Sequence, residues 1–512
     1  MDYFINFSID WFSDLETKIN KKYVGRSLGR QLIKIEKSKK MTLLSDFKHK
    51  QILVLGAGIT GLSCARYLNS QGLCFAVNDS RTNPFSADYS PAQFSEDFPT
   101  ARLQLGQWHS ELIRAADIIL ISPGIDSANA DIAQHISDDC CVMGDVELFC
   151  QINNERGLSK EDQPIELLAL TGSNGKSTVV SLLADLAQNL GVNAQLGGNI
   201  GQPVLDIFTS TSKKDPELLI LELSSFQLET LTSMKAIATS VLNVSDDHLD
   251  RHLTMANYQN IKQSIYQQGK VAVTNRDDEA TKSPNKNQQV LSFGSDKPKE
   301  NQFGIIKSET KAYLAFGEQT LIALDELPLA GMHNALNYLA ALALGYSAGW
   351  SMSAMVKYLP RFKGLAHRCQ RVMSSDNIAW INDSKATNVG ATLAALNGLS
   401  TTLSLSNKLI LIAGGDGKGA DFSPLLEPLT KHVSAVITLG KDGDKIADLA
   451  EPATKVIKVT NLLEAVSASK TIANDGDIVL LSPACASLDM FKNFAERGEQ
   501  FMAAVNQLAE AS

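Results

Sequence analysis

The feature that most constrains this chain is an apolar run that leads through a glycine-containing turn into a Lys-Ser-Thr sequence. Leu167 to Leu170 are apolar and predict a strand, and Thr171-Gly172-Ser173-Asn174-Gly175-Lys176-Ser177-Thr178 follows directly. Apolar residues then recur at helical spacing, and Gly191 stands where such a helix would end. A strand, a turn and a helix in this order indicate an α/β fold with a parallel sheet.

The composition of this turn is typical of phosphate binding. Gly172 and Gly175 leave room for backbone N–H groups to approach phosphate oxygens, Lys176 supplies a positive charge, and Ser177 offers a hydroxyl to Mg²⁺. The segment departs from the standard pattern because Leu170 stands where a first glycine is usual. The alternative is a serine- and glycine-rich turn with a surface lysine. The flanking strand and helix favour phosphate binding.

The bulk composition is that of a globular protein with room for three domains. The chain has 512 residues, of which 44% are hydrophobic and 20% charged. A net charge of −9 argues against a general nucleic-acid surface. Seven cysteines without a Cys-x-x-Cys pair predict reduced thiols, and the sequence has no run of apolar residues long enough to predict a transmembrane segment.

Residues 1–47 differ from the rest of the chain and are predicted to be an extension. Between Lys18 and Lys40 there are nine Lys or Arg residues and a single acid, Glu36. One interpretation is a basic amphipathic helix on an anionic membrane. A disordered segment, or sequence upstream of the functional start, is favoured because Met41 precedes the first domain-like pattern.

The first domain-like pattern contains a second glycine turn. A predicted strand over residues 51–55 runs into Gly56-Ala57-Gly58-Ile59-Thr60-Gly61, and Asp79 ends the next predicted strand. This pattern matches the dinucleotide fingerprint and, taken alone, indicates an NAD-dependent oxidoreductase. Any βα turn that approaches a pyrophosphate needs the same glycines, and a tight packing turn is the other alternative.

Two further strands after the phosphate-binding turn end in candidate metal ligands. The predicted strand Leu218–Leu221 leads to Glu222, which is interpreted as a Mg²⁺ ligand or water-orienting acid, or else as the partner of an arginine. The predicted strand Ile237–Val244 leads to His248 and His252. Their spacing suits a metal, although most isolated histidines have structural roles.

Lys262 occupies an unusual position in the same region. It falls inside the apolar stripe of a helix predicted over Met255–Gln267. A lysine on a buried face is expected to lose its proton, whereas periodicity alone favours a lysine whose ammonium reaches solvent. Residues 275–320 are predicted to be polar and irregular.

A third α/β pattern begins near Gly364. It includes Asn382–Asn388, a predicted strand Leu409–Ile412 before a Gly-Gly-Asp-Gly-Lys turn, and a predicted strand Ile478–Leu481 before Ser482–Ser487. Strands that end in such loops are typical of sheets that bind ligands at their carboxyl edge. Three such units predict domains over 48–145, 146–363 and 364–512 and an enzyme that joins charged substrates.

Together these segments closely resemble the Mur ligases, from about residue 48 to the end. The phosphate-binding turn is similar to that of the whole family. Glu222–Glu229, Asn382–Asn388 and Ser482–Phe494 resemble the member that adds D-glutamate. The resemblance implies an N-terminal Rossmann-like UDP-binding sheet, a central P-loop-type ATPase sheet and a C-terminal Rossmann-like sheet. It also implies a cytoplasmic, monomeric ligase that uses ATP to add D-glutamate to UDP-N-acetylmuramoyl-L-alanine through an acyl phosphate, in peptidoglycan precursor synthesis.

The resemblance also implies roles for individual residues. The implied catalytic residues are Lys176, Glu222, His248 and Lys262. Two Mg²⁺ ions would be held by Ser177, Glu222, His248 and Lys262, the last as a carbamate formed with CO₂. The implied ATP-binding residues are Gly172, Ser173, Asn174, Gly175, Lys176, Ser177, Thr178, Asn334, Arg368 and Asp383.

The same resemblance implies two substrate-binding sets. The UDP-substrate would be held by Ile59, Thr60, Ser80, Arg81, Ser122, Gly124 and Asn199. D-Glutamate would be enclosed by Lys385, Thr387, Lys418, Ser487, Leu488 and Phe494. Ser80 departs from the family pattern, in which threonine is common, but it retains the hydroxyl.

Three alternatives remain open at this level. An NAD-dependent oxidoreductase would leave Thr171–Thr178 unexplained. Another amide ligase of the same architecture, such as a folylpolyglutamate synthetase or a different peptidoglycan ligase, would be distinguished by the amino acid that it uses as substrate. A non-catalytic nucleotide-binding scaffold is disfavoured by the intact set of catalytic residues.

Overall fold

The computed structural model describes residues 46–85, 89–158, 163–209, 214–329, 331–400, 407–450 and 454–510. The predictions for the N-terminal extension therefore lie almost entirely outside the described residues. Within the described ranges, no helix is both long enough and apolar enough to cross a membrane. All seven cysteines are free thiols.

The first sheet is parallel and has the strand order β3-β2-β1-β4-β5. The order changes direction between β1 and β4, which is where open α/β sheets bind ligands. Its strands are β1 Ile52–Leu55, β2 Phe75–Asp79, β3 Arg102–Leu105, β4 Ile118–Ile121 and β5 Cys141–Met143. Its helices are α1 Ile59–Ser70, α2 Pro91–Asp97, α3 Ser110–Ala115 and α4 Ala130–Ala133.

The second sheet has nine strands in the order β14-β13-β12-β11-β10-β9-β6-β8-β7 and is antiparallel only from β12 to β14. Its strands are β6 Glu166–Thr171, β7 Ala194–Gly198, β8 Leu218–Glu222, β9 Ala236–Val241, β10 Gly269–Asn275, β11 Gln289–Phe293, β12 Gln302–Lys307, β13 Ala312–Phe316 and β14 Gln319–Ala323. The helices of this region are α5 Asp145–Arg156, α6 Lys176–Asn189, α7 Ser225–Leu228, α8 Leu249–His252, α9 Met255–Gln263, α10 Met332–Ser347 and α11 Met352–Tyr358.

The third sheet has the order β15-β16-β20-β17-β18-β19 and is parallel except for β15. Its strands are β15 Gln370–Val372, β16 Ala379–Asn382, β17 Leu409–Ala413, β18 Val433–Thr438, β19 Lys455–Lys458 and β20 Ile478–Leu481. Its helices are α12 Val389–Ser400, α13 Leu426–His432, α14 Gly443–Ala450, α15 Leu462–Ile472 and α16 Phe494–Glu510. The predicted α/β class with three sheets is confirmed.

The core of the second sheet explains why its phosphate-binding turn is held firmly. Leu168 and Leu170 of β6 are about 1% exposed and share one apolar cluster with Val179 and Leu183 of α6. Each fully buried leucine contributes about 1.5–3 kcal/mol relative to an exposed one. The strand and the helix therefore fix both ends of the turn between them.

Three sequence expectations need correction. Residues 275–320, predicted to be irregular, contain β11, β12 and β13. These strands are short and bury only part of their length, so their apolar pattern is weak in the sequence. Helix α9 ends at Gln263 and continues as a 3-10 turn over Ser264–Gln268, and β9 ends at Val241 rather than Val244.

Candidate active site

The candidate active site is built around the turn between β6 and α6. Gly175 adopts a left-handed conformation with φ 84° directly before the helix. The loop after β9 holds the turn in place, because Asn243 Oδ1 accepts the Asn174 N–H at 2.8 Å and the Asn243 carbonyl accepts the Ser173 N–H at 2.9 Å. The turn is therefore shaped before any ligand binds.

Lys176 lies across this turn. Its Nζ donates to the Gly172 carbonyl at 2.6 Å and to the Ser173 carbonyl at 3.0 Å. Burial lowers the pKa of Lys176, although the nearby carboxylates of Glu222 and Asp247 act to raise it. The ammonium therefore lies at the centre of the loop that the sequence predicts to bind phosphate.

Glu222 ends β8, next to β6, and is only 1% exposed. Asn199 Nδ2 donates to Glu222 Oε1 at 2.8 Å, and the Asn199 N–H donates to the Glu222 carbonyl at 2.7 Å. Glu222 Oε2 is buried without a hydrogen-bond partner. Gly198 has φ +93°, and a Cβ at this position would lie 2.3 Å from the Glu222 carbonyl oxygen. One carboxylate oxygen is thus fixed and the other is available to a cation.

Lys262 is buried, with only 2% of its surface exposed. Its Nζ donates to the Gly172 carbonyl at 3.1 Å and lies 4.5 Å from the centre of the Tyr258 ring. Burial, followed by the positive charge of Lys176, lowers the pKa of Lys262 well below its usual value. The expectation from periodicity of a lysine that reaches solvent is therefore wrong, and two lysines share one backbone carbonyl.

The two histidines after β9 have different environments. His248 has φ 54°, its ring centre lies 4.9 Å from that of Phe226, and its Nε2 is 3.7 Å from an Asp247 carboxylate oxygen. His252 is 1% exposed, and its Nε2 lies 2.9 Å from Ser225 Oγ. His252 is therefore a packed residue of the core, whereas His248 is partly accessible beside the site.

The third sheet reaches the phosphate-binding turn directly. Arg368 Nη2 donates to Ser177 Oγ at 2.9 Å. Asp383 accepts the Ser482 hydroxyl at 2.9 Å, and burial raises the pKa of Asp383 to about 6. A cavity of about 340 Å³ lies between the second and third sheets, and its lining includes Asn174, Thr178, Asn334, Arg368, Asp383 and Lys385. Predicted ATP-binding residues from three separated segments thus come together.

The residues predicted to bind D-glutamate lie on three loops of the third sheet and, for Phe494, at the start of α16. Lys385 Nζ lies 3.8 Å from the centre of the Phe494 ring, and burial, with the neighbouring Arg368 charge, lowers the pKa of Lys385 to about 8. Lys418 is exposed and has φ 51° in the loop after β17. Three further members lie on the loops that follow β16 and β20: Thr387, Ser487 and Leu488.

The predicted UDP-binding residues lie at the carboxyl edge of the first sheet, apart from Asn199, which bonds to Glu222 in the second. Ile59 is 76% exposed, and Ser122 Oγ is buried without a hydrogen-bond partner. Asp79 accepts the Ala57 N–H at 2.8 Å and pairs with Arg81 at 2.7 Å. Three other members lie at the same edge: Thr60, Ser80 and Gly124.

Comparison with known families covers most of the chain. Residues 50–144 match a model described as the MurD-like N-terminal domain of Mur ligases, residues 170–345 match the Mur ligase middle domain, and residues 367–485 match the Mur ligase glutamate ligase domain. A UDP-N-acetylmuramoylalanine–D-glutamate ligase of Colwellia psychrerythraea is 60% identical over 471 residues, which cover 91% of this chain and 98% of the relative.

The chain belongs to the Mur ligase family. The resemblance inferred from the motifs is confirmed. A second Mur ligase, the UDP-N-acetylmuramoylalanine–D-glutamate ligase of Marinobacter nauticus, is 42% identical over 90% of this chain and 98% of its own length.

Solved Mur ligase structures have the same fold at low sequence identity. UDP-N-acetylmuramate–alanine ligase of Thermotoga maritima matches with a TM-score of 0.57 at 17% identity, over 91% of this chain and 100% of that chain. MurF ligase of Thermotoga maritima, solved in complex with ADP, matches with a TM-score of 0.55 at 17% identity, over 85% of this chain and 96% of that chain. At this level of sequence identity, these matches support the fold of this Mur ligase and nothing more.

Sequence reasoning missed two asparagines of the site. Asn337 lines the same cavity as Asn334, and its Nδ2 donates to Asn334 Oδ1 at 3.3 Å. Its signal was the spacing of three residues from Asn334, which puts both on one helix face. Asn243, which holds the phosphate-binding turn, had no signal beyond its position after a predicted strand.

Proposed function

We propose that this Mur ligase joins the amine of D-glutamate to the terminal carboxylate of UDP-N-acetylmuramoyl-L-alanine, with conversion of ATP to ADP and phosphate. The observation that carries this proposal is the convergence of Lys176, Glu222 and Lys262 on one turn, in a chain 60% identical to a UDP-N-acetylmuramoylalanine–D-glutamate ligase. The reaction would serve peptidoglycan precursor synthesis. We also propose a cytoplasmic monomer with domains over 48–145, 146–363 and 364–512, as the family resemblance implies.

The charges of the site suit an acyl-phosphate route. A carboxylate is a poor electrophile, and transfer of a phosphoryl group to the L-alanine carboxylate from ATP makes its carbon reactive. The Lys176 ammonium, at the centre of the turn, offsets the charge of the transferring group. The neutral amine of D-glutamate then attacks that carbon, and the tetrahedral intermediate collapses to the amide and phosphate.

The Mur ligase family uses ATP and Mg²⁺, and the donors of this chain fit the ion. Glu222 Oε2 is buried and unpartnered, which is unfavourable unless a cation binds there. We propose that Ser177 and Glu222 hold one Mg²⁺, and that His248 and Lys262 hold a second. The ions would supply positive charge to the phosphate oxygens.

We further propose that Lys262 carries a carbamate. A neutral amine attacks CO₂, a nitrogen–carbon bond forms, and the amine releases one proton. Burial and the charge of Lys176 lower the pKa of Lys262 well below its usual value, which supplies the neutral amine. The resulting anion would suit a metal site and would relieve the repulsion between the two lysines.

The remaining predicted residues assign each substrate to a different part of the molecule. We propose that the loops of the first sheet, with Ser122 and Arg81, bind the UDP group, and that Asn199 approaches the muramoyl portion. Asn334, Arg368 and Asp383 would bind ATP in the cavity between the second and third sheets. Lys385, Thr387, Lys418, Ser487, Leu488 and Phe494 would enclose D-glutamate.

The test is a panel of amino acids offered to the enzyme with ATP, Mg²⁺ and UDP-N-acetylmuramoyl-L-alanine. We expect phosphate release with D-glutamate and a product heavier by one glutamyl residue in mass spectrometry. L-Glutamate, L-alanine and diaminopimelate are the competing substrates of the panel. Faster phosphate release with any of these three, or none with D-glutamate, would overturn the proposed substrate.

A further inference from the structure

Helix α12 of the third sheet presents small residues to the second sheet. Ala391, Ala394 and Ala395 of this helix line the cavity proposed for ATP. Gly390 and Gly398 lie near its two ends. Glycine in a helix interior is unfavourable relative to alanine, so two glycines in a twelve-residue helix call for a reason.

The reason at the C-terminal end of α12 is a histidine of the second sheet. A methyl group at Gly398 would lie 3.0 Å from His333 Cε1 and 3.1 Å from His333 Nδ1. A methyl group at Gly331 would approach the same two ring atoms, at 3.1 Å from Cε1 and 3.2 Å from Nδ1, and would lie 3.3 Å from the Gly398 Cα. The His333 Nδ1 is buried without a hydrogen-bond partner, and burial lowers the pKa of His333 to about 4. The Cε1–Nδ1 edge of a neutral imidazole thus packs against two glycines, Gly331 and Gly398, which also lie against each other.

The N-terminal end of α12 lies against the phosphate-binding turn. A methyl group at Gly390 would lie 3.0 Å from Ser245 Oγ and 3.2 Å from Asn174 Nδ2. Beside it, Asn388 Nδ2 lies 3.4 Å from Asn174 Oδ1 and 3.3 Å from Asp247 Oδ2. The helix therefore approaches the region of the second sheet at two points, and Gly390 and His333 both line the cavity.

We propose that Gly390 and Gly398 are positioning residues that set how closely the third sheet docks on the nucleotide, with the His333 ring as the surface against which Gly398 rests. This inference rests on the proposed function. The loop that leads into α12 carries Asp383, Lys385 and Thr387. A helix held away by one added methyl group would move these residues relative to Lys176. Displacements of about 1 Å can cost about a hundredfold in rate.

The decisive variant is Gly398→Ala. We expect kcat for D-glutamate ligation to fall about tenfold or more, and by a larger factor than the rise in the Kd for ADP measured by calorimetry, because Lys176 and Asn334 do not belong to the displaced sheet. The melting temperature should not fall, because alanine favours a helix more than glycine does. Gly390→Ala should act in the same direction. Asn397→Ala is the matched control: Asn397 is exposed on the same helix, so this change should leave kcat and the Kd for ADP unchanged.

The same substitution in a His333→Ala variant distinguishes an effect on sheet docking from a general loss of structure. In His333→Ala the ring is gone, so adding Gly398→Ala should cost less than about threefold in kcat relative to His333→Ala alone. Wild-type kcat in Gly398→Ala, or the same loss in both backgrounds, would overturn the inference. A wild type that uses another amino acid would overturn the proposed substrate instead, and the same comparison of variants would then be made with that amino acid.

Discussion

The first and second sheets each place a glycine turn directly after a parallel strand, and in each a later strand, β2 or β8, ends in a buried carboxylate. In the first sheet, Asp79 accepts hydrogen bonds from the Ala57 N–H and from the backbone and guanidinium of Arg81. Burial alone would raise the pKa of Asp79, but these bonds lower it below its usual value. In the second sheet, Glu222 keeps one buried oxygen without any partner.

The difference between these carboxylates indicates what each turn does. Asp79 is fully engaged within the protein, so it shapes its own turn and is not available as the ribose ligand that an NAD-dependent enzyme would need. Glu222 stands beside Lys176 with bonding capacity left over, which suits metal-assisted chemistry. The two glycine turns are thus similar in sequence, but their carboxylates favour substrate binding in the first sheet and reaction in the second.

The largest effect should come from Lys176→Ala. We expect turnover to fall about a thousandfold or more, because the charge that stabilises the transferring phosphoryl group is lost. Binding of the UDP-substrate, measured by calorimetry, should stay nearly unchanged since it is assigned to the first sheet. Retention of more than about a tenth of wild-type turnover would contradict the assignment of phosphoryl transfer to the turn of the second sheet.

Lys262→Ala should reduce turnover about a hundredfold or more if its carbamate helps to hold Mg²⁺. Acetate, a small carboxylate, should then restore part of the rate by occupying the space of the carbamate. The measurement is phosphate release across an acetate titration, with wild type depleted of CO₂ as a second arm. Near-normal activity of the variant, together with a wild type indifferent to CO₂, would contradict the carbamate.

Glu222→Gln tests the unpartnered carboxylate itself. We expect kcat to fall about a hundredfold and the Mg²⁺ concentration needed for half-maximal rate to rise, because an amide is a weaker ligand for a hard cation. The melting temperature should hold or fall, since the amide no longer offsets the charge of the buried Lys176. An unchanged Mg²⁺ dependence would remove Glu222 from the metal site.

Asp79→Asn is the matched change in the first sheet. The amide keeps an acceptor for the Ala57 N–H but loses the charged pair with Arg81. We expect the KM for the UDP-substrate to rise about tenfold and kcat to stay within about threefold. A loss of kcat as large as that of Glu222→Gln would show that the two carboxylates do not differ in role.

The smallest effect on activity is expected at Asp145, which begins α5 between the two sheets. Its Oδ1 is unpartnered, and burial raises the pKa of Asp145 to about 6. Since the folded pKa exceeds the unfolded one, stability falls as pH rises from about 4 to about 6. Asp145→Asn should therefore raise the free energy of unfolding by about 3 kcal/mol at pH 8, and the gain should disappear near pH 4. An equal gain at both pH values in thermal melts would contradict this.

The sequence was sufficient to predict the three-sheet class because its central strands are continuous apolar runs that end in glycine turns. It did not predict β11 to β13, since short strands that bury part of their length produce a weak pattern. The burial of Lys262 also contradicted the expectation from periodicity alone, which favoured a lysine that reaches solvent. The burial of a side chain depends on the groups that pack over it, which for Lys262 are the Tyr258 ring and the Gly172 carbonyl. Helical periodicity contains no information about such contacts.

The site residues also differ in whether the local sequence could reveal them. Residues on the phosphate-binding turn were found by local pattern, because the turn itself brings them together. The approach of Arg368 to Ser177 joins positions 191 residues apart, and only the resemblance to the Mur ligases indicated it. The contact of Gly398 with His333 had no local signal at all, since it exists only where the second and third sheets meet.

Gly198 has a consequence for how mutations at this site would be distributed. It has no functional group, yet any side chain there would collide with the backbone of Glu222. The constraint on the carboxylate that we propose as a metal ligand thus extends to a neighbour without a functional group. In a saturation library selected for growth, position 198 should tolerate as few substitutions as position 222, and a map of fitness alone could not tell the ligand from its support.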